Sequence, residues 1–468
     1  LFADGAFARA AGAPLVDRNR VRLLKDAREN YPAWLDAIRE ARKTVYFESY
    51  IIHSDEVGRQ FADLLCAKAR EGIRVRLIYD WFGARGASSR GFWRRMRQAG
   101  VEVRCFNPPR LDSPLGWISR DHRKTITIDG RIGFVSGLCV GQSWVGDPQR
   151  GIEPWRDTGV MLEGPAVFDL EQAFAAMWAG LGPGVPAEEL VSENAAIPAA
   201  GEVAVRVVPT VPGKAGLYRV DQLIAAVARR SIWLTDAYFL GTVSYVEALG
   251  AAALDGVDVR LLLPRTSDLP VVRSMSRVGY RALLEAGVRV FEWQGSMLHA
   301  KTAVADGRWA RVGSTNLNLS SWMGNCEMDV IVEDEIFARR MEEMYLEDLS
   351  RSTEIVLGRK HKVHPAHRRS PRTNPKGAAR GSAGRAATGV LAIGSTVGAA
   401  IAQKQTLGPA ETPVLVVAAA GLFLLAAIAA LWPHAVSLPA AVLAAWTAST
   451  LLLKALRLYR SHRRRRDG

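Results

Sequence analysis

The stretch DHRKTITIDGRIGFVSG, residues 121–137, decides the fold, because it returns later in the chain as LHAKTAVADGRWARVGSTN, residues 298–316. Both copies read HxKxxxxD, followed by a glycine and a strand-like run that ends in small residues. The shared residues are His122, Lys124 and Asp129 in the first copy and His299, Lys301 and Asp306 in the second. Residues two apart in a strand project to the same face, so each histidine and its lysine are predicted to point into one cleft.

The segments that precede these motifs repeat as well, and each pairs a helix-like stretch with a strand-like stretch. The matching pairs are 37–52 with 223–240, 61–80 with 245–264, and 93–106 with 280–293. Strands that alternate with helices at this spacing predict an α/β fold with a mostly parallel sheet covered on both faces. We therefore predict two tandem α/β/α repeats, residues 1–195 and 196–357, packed with pseudo-twofold symmetry around a seam.

The positive charge of the chain is concentrated in its last quarter. Of 61 lysine and arginine residues, 17 lie from Arg359 onward, where only two acids, Glu411 and Asp467, occur. The preceding 358 residues are almost neutral. A nucleic-acid enzyme usually carries its positive charge on the binding face itself, so this distribution argues against a nucleic-acid partner.

The last quarter has the pattern of a membrane region. Residues 413–432 form an uncharged apolar run long enough to cross a bilayer as one helix, and residues 436–453 form a second. A glycine-rich segment, 386–402, is at the short limit for a further span or an interfacial helix. The basic linker 358–385 and the basic tail should both stay cytoplasmic, which favours two spans within 386–468. A buried helical hairpin in a soluble protein is the alternative.

The paired motifs fit displacement at a phosphodiester. Such a reaction needs a nucleophile, an acid for the leaving oxygen, and positive charge on the phosphoryl oxygens. Histidine can fill either of the first two roles near neutral pH. Lys124 and Lys301, with Asn316 and Ser314, can hold the non-bridging oxygens. We expect no metal and no cofactor, because the sequence shows no carboxylate cluster suited to Mg²⁺.

The paired HxKxxxxD motifs resemble the phospholipase D superfamily, over nearly all of residues 20–356. Within this region FESYII, YDWFG, EPWRDTGVMLEGPAV, DAYFL, LLLPRTSD and MLHAKT are similar to its cardiolipin synthase branch, the one without an N-terminal membrane hairpin. The resemblance implies two phospholipase D-like repeats and a phosphatidyl-histidine intermediate. It also implies joining of two phosphatidylglycerols with release of glycerol, and it favours His122 as the nucleophile and His299 as the general acid.

The resemblance further implies that a downstream acid orients each catalytic histidine. Asp157 follows His122 and Glu327 follows His299, so we expect each acid to serve the histidine of its own half. Asp129 and Asp306 belong to the catalytic motifs, although their position past the strand indicates that they brace a loop. The first half departs from the family at Ser136-Gly137-Leu138-Cys139, where it lacks the expected asparagine, and the second half departs at NLNLSSW, which lacks the Asp and Arg common in the family. These departures leave the choice of acceptor in doubt.

The expected partners are anionic phospholipid substrates and the membrane. The expected location is the bacterial inner membrane, with the catalytic part and the tail on the cytoplasmic side. Three alternatives remain at this level: a phospholipid hydrolase, a nuclease, and an inactive membrane scaffold. The sequence leaves open the second lipid substrate and the oligomeric state.

Overall fold

The computed structural model describes residues 2–109, 118–193, 196–357 and 363–365, together with isolated positions between 423 and 452. The chain forms two compact units. The first unit comprises residues 1–106 and 120–389 and contains both motifs, whereas the second comprises residues 107–119 and 390–468.

The first unit is organised around one continuous sheet in which the two halves follow the same strand order. The strands of the first half are β1 (Val16–Lys25), β2 (Thr44–Ser49), β3 (Arg74–Asp80), β4 (Glu102–Phe106), β5 (Lys124–Ile128), β6 (Ile132–Ser136) and β7 (Thr158–Glu163). The later strands are β8 (Val203–Thr210), β9 (Ser231–Thr235), β10 (Asp258–Pro264), β11 (Arg289–Trp293), β12 (Thr302–Ala305), β13 (Trp309–Gly313), β14 (Glu327–Glu333), β15 (Ser352–Leu357) and β16 (Val363–Pro365). Their order is β16-β15-β11-β10-β9-β12-β13-β14-β8-β1-β7-β6-β5-β2-β3-β4, so the two halves mirror each other about the β8–β1 pair.

Helices connect the strands in the order that the repeats predict. They are α1 (Phe2–Ala11), α2 (Asp26–Glu40), α3 (Glu56–Arg70), α4 (Trp81–Ala84), α5 (Arg90–Gln98), α6 (Gln142–Val145), α7 (Val167–Gly180), α8 (Gly216–Val227), α9 (Val243–Leu254), α10 (Pro270–Glu285) and α11 (Glu335–Ser350). Short 3₁₀ turns occur at Pro148–Arg150 and Ala187–Glu189, and a π-helical turn occurs at Ser320–Gly324. Several helices begin at a capping side chain; for example, Asp55 accepts a hydrogen bond from the N–H of Gly58 at the start of α3.

The prediction of a mostly parallel sheet is wrong. Only the pairs β2–β3, β3–β4, β9–β10 and β10–β11 are parallel among the described strand pairs. Strands β5 to β7 and β12 to β14 pair antiparallel. No helix separates β5 from β6 or β12 from β13. Instead, an Asp-Gly turn joins them, with positive φ at Asp129 and Gly130 (54° and 62°). Asp-Gly between two strands is a strong hairpin signal, so the sequence did contain this information.

The two halves pack against each other through the middle strands of their repeats. Strands β6 and β7 of the first half contact β13 and β14 of the second. One apolar cluster at this contact draws on both halves and includes Val135, Val160, Val312 and Val330. The seam between the repeats is therefore a buried core. It fixes the position of the strands of one half relative to those of the other.

Helix α1 departs from the predicted division at residue 195. It packs on α8 of the second half, where the carbonyl of Ala10 accepts a hydrogen bond from Nε of Arg219 (3.0 Å). Ala10 and Ala11 share an apolar cluster with Leu217. The start of the chain therefore contributes to the second half, since its small apolar side chains complete the cover of α8.

The described residues of the C-terminal region are few. Within the predicted linker 358–385, residues 363–365 form β16, which pairs antiparallel with β15. This part of the predicted linker therefore belongs to the sheet. The described positions between 423 and 452 are helical, but most of the predicted span 413–432, nearly half of the predicted span 436–453, and all of 386–402 lie outside the described residues. Among the residues that the structure does describe, no helix is both long and apolar enough to cross a membrane.

Candidate active site

Each motif begins with its histidine at the seam and ends with its aspartate just beyond the far end of β5 or β12. In the first half, the carboxylate of Asp129 accepts hydrogen bonds from the backbone N–H groups of Arg42, Lys43 and Thr44 (2.8–2.9 Å). In the second half, Asp306 does the same for Arg229, Arg230 and Ser231 (2.8–3.0 Å). Both aspartates thus brace the start of the neighbouring strand. We place them outside the reacting group.

The histidine and lysine of each motif lie together at the start of β5 or β12. Nζ of Lys124 donates to the backbone carbonyl of His122 (2.6 Å), and Nζ of Lys301 donates to that of His299. Because an ammonium group has three N–H donors, each lysine keeps donors for a substrate oxygen.

A tyrosine covers each histidine–lysine pair. The ring of Tyr50 lies 5.0 Å from the ring of His122 and that of Tyr238 lies 5.9 Å from the ring of His299, measured between centroids. Both tyrosines also lie beneath the lysine ammonium of their own half, at 5.4 and 5.7 Å from the ring centroid. Neither tyrosine was predicted as a site residue, although Tyr50 directly follows β2 in FESYII and Tyr238 lies three residues after the end of β9 in DAYFL.

The acids that orient the histidines are exchanged between the halves. Nδ1 of His122 lies 2.9 Å from Oε2 of Glu327, and Nδ1 of His299 lies 2.7 Å from Oδ2 of Asp157. All four side chains are buried or nearly so. Both predicted acids thus contact a histidine, but each contacts the histidine of the opposite half, so the pairing expected within each half is wrong.

The exchange follows from backbone pairing across the seam. The N–H of His122 donates to the carbonyl of Cys326 (2.8 Å), and the N–H of His299 donates to the carbonyl of Arg156 (2.7 Å). Isolated parallel bridges at these positions align the residue before each histidine with the residue before the acid of the other half. Each histidine consequently meets the acid of the opposite repeat. No pattern within one repeat could have revealed this contact.

The two acids are held in different ways. Asp157 accepts hydrogen bonds from Nε1 of Trp144 (2.9 Å) and from the N–H of Thr158 (2.9 Å). It sits against Gly137, where a Cβ atom would lie only 2.1 Å from Oδ1 of Asp157. The shorter acid therefore needs a glycine beside it, and an indole N–H completes its hydrogen bonding.

Beside Glu327 lies the hydroxyl group of Ser314, at the repeat position that Gly137 occupies beside Asp157. Oε2 of Glu327 accepts a hydrogen bond from Oγ of Ser314 (2.6 Å), and its Oε1 accepts one from Nδ2 of Asn325 (3.3 Å). Ser314 thus uses its single proton on the acid, so the expectation that this serine holds phosphate is not supported. Asn316 differs: the residue is 4% exposed and its Oδ1 has no hydrogen-bond partner among the described residues, and only its amide NH₂ group could donate to a phosphoryl oxygen.

Burial and charge set the protonation of the histidines. Burial lowers the pKa of His122 below its ordinary value, although the charge of Glu327 opposes this. Burial, reinforced by the ammonium of Lys301, lowers the pKa of His299 to about 4. The lysine of each half also lowers the pKa of the histidine of the other, so the two motifs share one electrostatic environment.

The acids and one lysine respond to the same environment. Burial alone would raise the pKa values of Asp157 and Glu327, but the charges and hydrogen bonds of their histidine partners outweigh it, and the net direction is downward. Both acids therefore stay ionised. Burial lowers the pKa of Lys301 to about 8, close to the neutral range.

Two histidine–lysine pairs in one cleft of a duplicated α/β chain, each histidine held by a carboxylate, define a phospholipase D-like protein. The comparisons agree. The family described as "Cardiolipin synthase, PLD-like domain" matches residues 34–178 and 222–349. Cardiolipin synthase A of Pseudomonas syringae pv. syringae (strain B728a) is 32% identical over 372 residues, 77% of this chain and 75% of that protein. Cardiolipin synthase 2 of Bacillus anthracis is 34% identical over 361 residues, 75% of this chain and 68% of that protein.

A solved structure supports the fold independently. The crystal structure of phosphatidylserine synthase from Haemophilus influenzae Rd KW20 covers 76% of this chain and 92% of its own, with a TM-score of 0.58 and 14% identity. At that identity the likeness concerns the fold alone. Taken with the relatives above, the chain belongs to the phospholipase D-like cardiolipin synthase family.

Proposed function

We propose that this protein is a cardiolipin synthase. It transfers a phosphatidyl group from one phosphatidylglycerol to the hydroxyl of another lipid and releases glycerol. The observation that carries the proposal is the pair of histidines, each hydrogen-bonded to a buried carboxylate of the opposite half, in a chain of the cardiolipin synthase family. A phosphatidyl group is a phosphodiester, and two histidines beside two lysines can supply everything that its displacement needs.

In the first half-reaction, Nε2 of one histidine attacks phosphorus while the bond from phosphorus to the glycerol oxygen breaks. The second histidine gives its proton to that oxygen, so glycerol leaves neutral and a phosphatidyl-histidine remains. Lys124 and Lys301 hold the non-bridging oxygens as negative charge develops, and Asn316 offers its side-chain amide. The carboxylate on each Nδ1 fixes the tautomer that leaves Nε2 free for the reaction.

In the second half-reaction the acceptor lipid takes the place of glycerol. The second histidine, now neutral, removes the proton from the acceptor hydroxyl, whose oxygen attacks phosphorus. The nitrogen–phosphorus bond breaks and the first histidine is regenerated. Both histidines return to their starting protonation, so the cycle balances without any other reactant.

We assign the attack to His122 and the acid role to His299, as the family resemblance implies. In the substrate-free cleft the pKa of His299 is about 4, which favours its neutral form. A phosphate anion between the lysines favours the imidazolium, so substrate binding itself would load the proton that the acid must donate. Acid quench with labelled lipid tests this assignment. Label on the peptide containing His299 instead of His122 would reverse it.

We further propose that residues 1–195 and 196–357 form the two repeats, apart from α1, and that 358–385 and 386–468 attach them to the membrane. The spans at 413–432 and 436–453 would insert in the bacterial inner membrane with the catalytic part on the cytoplasmic side, where anionic phospholipids are both surface and substrate. Deletion from Arg359 onward should leave a folded protein that acts on dispersed short-chain lipid. If this shortened chain still sediments with membranes after a carbonate wash, the anchor lies elsewhere.

Lipid analysis in a strain without cardiolipin tests the proposed function. Expression of the chain should convert labelled phosphatidylglycerol to cardiolipin with an equal yield of free glycerol. His122→Ala and His299→Ala should each abolish the conversion, because the first half-reaction needs both groups. Phosphatidic acid as the main product would instead make the protein a hydrolase. Conversion that survives either substitution would remove that histidine from the mechanism.

A further inference from the structure

Two short segments border the catalytic cleft, one from each half. The first rim segment is residues 142–155, which follows β6, and the second rim segment is residues 318–325, which follows β13. Each turns one face toward the site or the core and the other face toward solvent. The solvent faces carry four large apolar side chains, Val145 (41% exposed), Ile152 (48%), Leu319 (47%) and Met323 (41%).

The first rim segment is a closed loop whose inner face touches a catalytic histidine. Mutual backbone hydrogen bonds between Asp147 and Ile152 (2.8 and 2.9 Å) close it. On its inner face, the rings of Trp144 and Trp155 lie 5.6 and 5.7 Å from the ring of His299. The outward position of Val145 and Ile152 is thus fixed by the same loop that shapes the site.

The second rim segment has the same arrangement. Trp322 is buried in the π-helical turn, with its ring 4.8 Å from Tyr218 and 5.2 Å from Tyr245. Met323 lies four positions after Leu319, so their side chains project from about the same side of the turn. The segment ends two residues before the acid of His122. The two segments are therefore equivalent in the repeats: the first contacts the ring of His299, and the second contacts the acid of His122 through Asn325.

Each rim segment has an exposed cation beside its apolar pair. Arg150 lies in the first, 3.9 Å from Asp147, and the other acid of that segment, Glu153, pairs with Arg351 (3.4 Å). Lys214 lies in a turn whose Gly213 N–H donates to the carbonyl of Met323 (3.0 Å), so these five charged side chains carry one positive charge in excess. Apolar side chains flanked by basic ones are typical of surfaces that enter the boundary between lipid headgroups and acyl chains, because anionic headgroups attract the cations.

We propose that the two rim segments form the surface by which the catalytic cleft docks on an anionic phospholipid bilayer. Val145, Ile152, Leu319 and Met323 enter the headgroup–acyl boundary around the mouth of the cleft. The phosphodiester then reaches the histidines while the acyl chains stay in the bilayer. This inference rests on the proposed function, because a phospholipid must present its headgroup to the cleft that these segments border.

Two double variants of the full chain test the surface, Val145→Ser/Ile152→Ser and Leu319→Ser/Met323→Ser. Val227→Ser/Leu254→Ser is the matched control, since these side chains are exposed apolar residues of α8 and α9 (51% and 76%). Each rim variant should release glycerol from phosphatidylglycerol vesicles roughly tenfold more slowly than the control. On monomeric short-chain lipid all three should act equally. Equal rates on vesicles, or equal losses on both substrates, would overturn the proposal.

A second readout does not depend on catalysis. Ile152→Cys or Leu254→Cys carries an environment-sensitive fluorophore in the full chain reconstituted into anionic vesicles. Emission from position 152 should shift to the blue relative to the same chain in solution, whereas emission from position 254 should not. The same spectrum at both positions would refute the docking surface. A chain that shows the shift at position 152 but moves no phosphatidyl group would instead refute the proposed function.

Discussion

Asp157→Asn tests the exchanged pairing, because it removes the acid of one half while its histidine partner belongs to the other. The bond from Nδ1 of His299 to Oδ2 of Asp157 is 2.7 Å long, and both groups are buried. A hydrogen bond to a charged group contributes about 1.5–3 kcal/mol. If it stabilises the imidazolium that forms in the transition state, its loss should lower kcat roughly 10- to 150-fold.

The measurement that identifies the partner is chemical modification of each histidine. Diethyl pyrocarbonate acylates the neutral imidazole, and a carboxylate on Nδ1 makes the ring a better base. Peptide mapping of Asp157→Asn should therefore show slower acylation of His299 and an unchanged rate at His122. Glu327→Gln should show the reverse pattern. Asp129→Asn serves as the control, since that aspartate braces a distant turn.

The refuting result is equally specific. If Asp157→Asn slows His122 and spares His299, the acids act within their own halves and the contacts across the seam do not persist in solution. A fall in kcat with no change at either histidine would separate Asp157 from the protonation of the site altogether.

Three further predictions concern the phosphate-holding lysines and the fit of the acid. Transfer should survive EDTA, because Lys124 and Lys301 supply the charge on the phosphoryl oxygens; loss that one divalent ion restores would contradict this. The pKa of Lys301 is lowered to about 8, so its ammonium is present below that pH and is lost as pH rises through it. The KM for lipid should therefore rise above this pH in the wild type and stay flat in Lys301→Arg; a flat wild-type profile would be inconsistent with the role. Gly137→Ser should cut kcat about 100-fold, because the new Cβ would lie 2.1 Å from Asp157. Gly180→Ser, whose new Cβ would have no heavy atom within 4 Å, should keep full activity. Equal kcat values for the two variants would contradict a role for the close contact between Gly137 and Asp157.

The residues of the site could be predicted from the sequence to the extent that they repeat. His122 and His299 stand at matching places in two copies of one motif, and a duplicated pattern is hard to produce by chance. The helices and strands before them repeat as well, which gave the α/β class and the division into halves. Sheet direction was predicted wrongly, because the alternation of helices and strands outweighed the Asp-Gly hairpin signal.

The contacts between the halves could not be predicted, because no periodicity in one repeat encodes them. The exchange of Asp157 and Glu327 depends on backbone pairing near Arg156 and Cys326, and neither residue forms a recognisable pattern. Trp144 escaped notice for a similar reason. The pattern SWVG at 143–146 recurs as SWMG at 321–324, but Trp144 donates to Asp157 whereas Trp322 donates to Asp221, so the repeat alone does not reveal the contact with the acid.

The exchange of acids across the seam also bears on the assembly of the protein. A half that has folded before the other holds a histidine with no carboxylate on its Nδ1, so neither histidine is activated in a partly folded chain. Chemistry on membrane lipid therefore begins only when the last contacts of folding are made. Activity therefore requires that both halves have folded and packed together. Substitutions in the apolar seam should abolish activity at a smaller loss of stability than is needed to unfold either half.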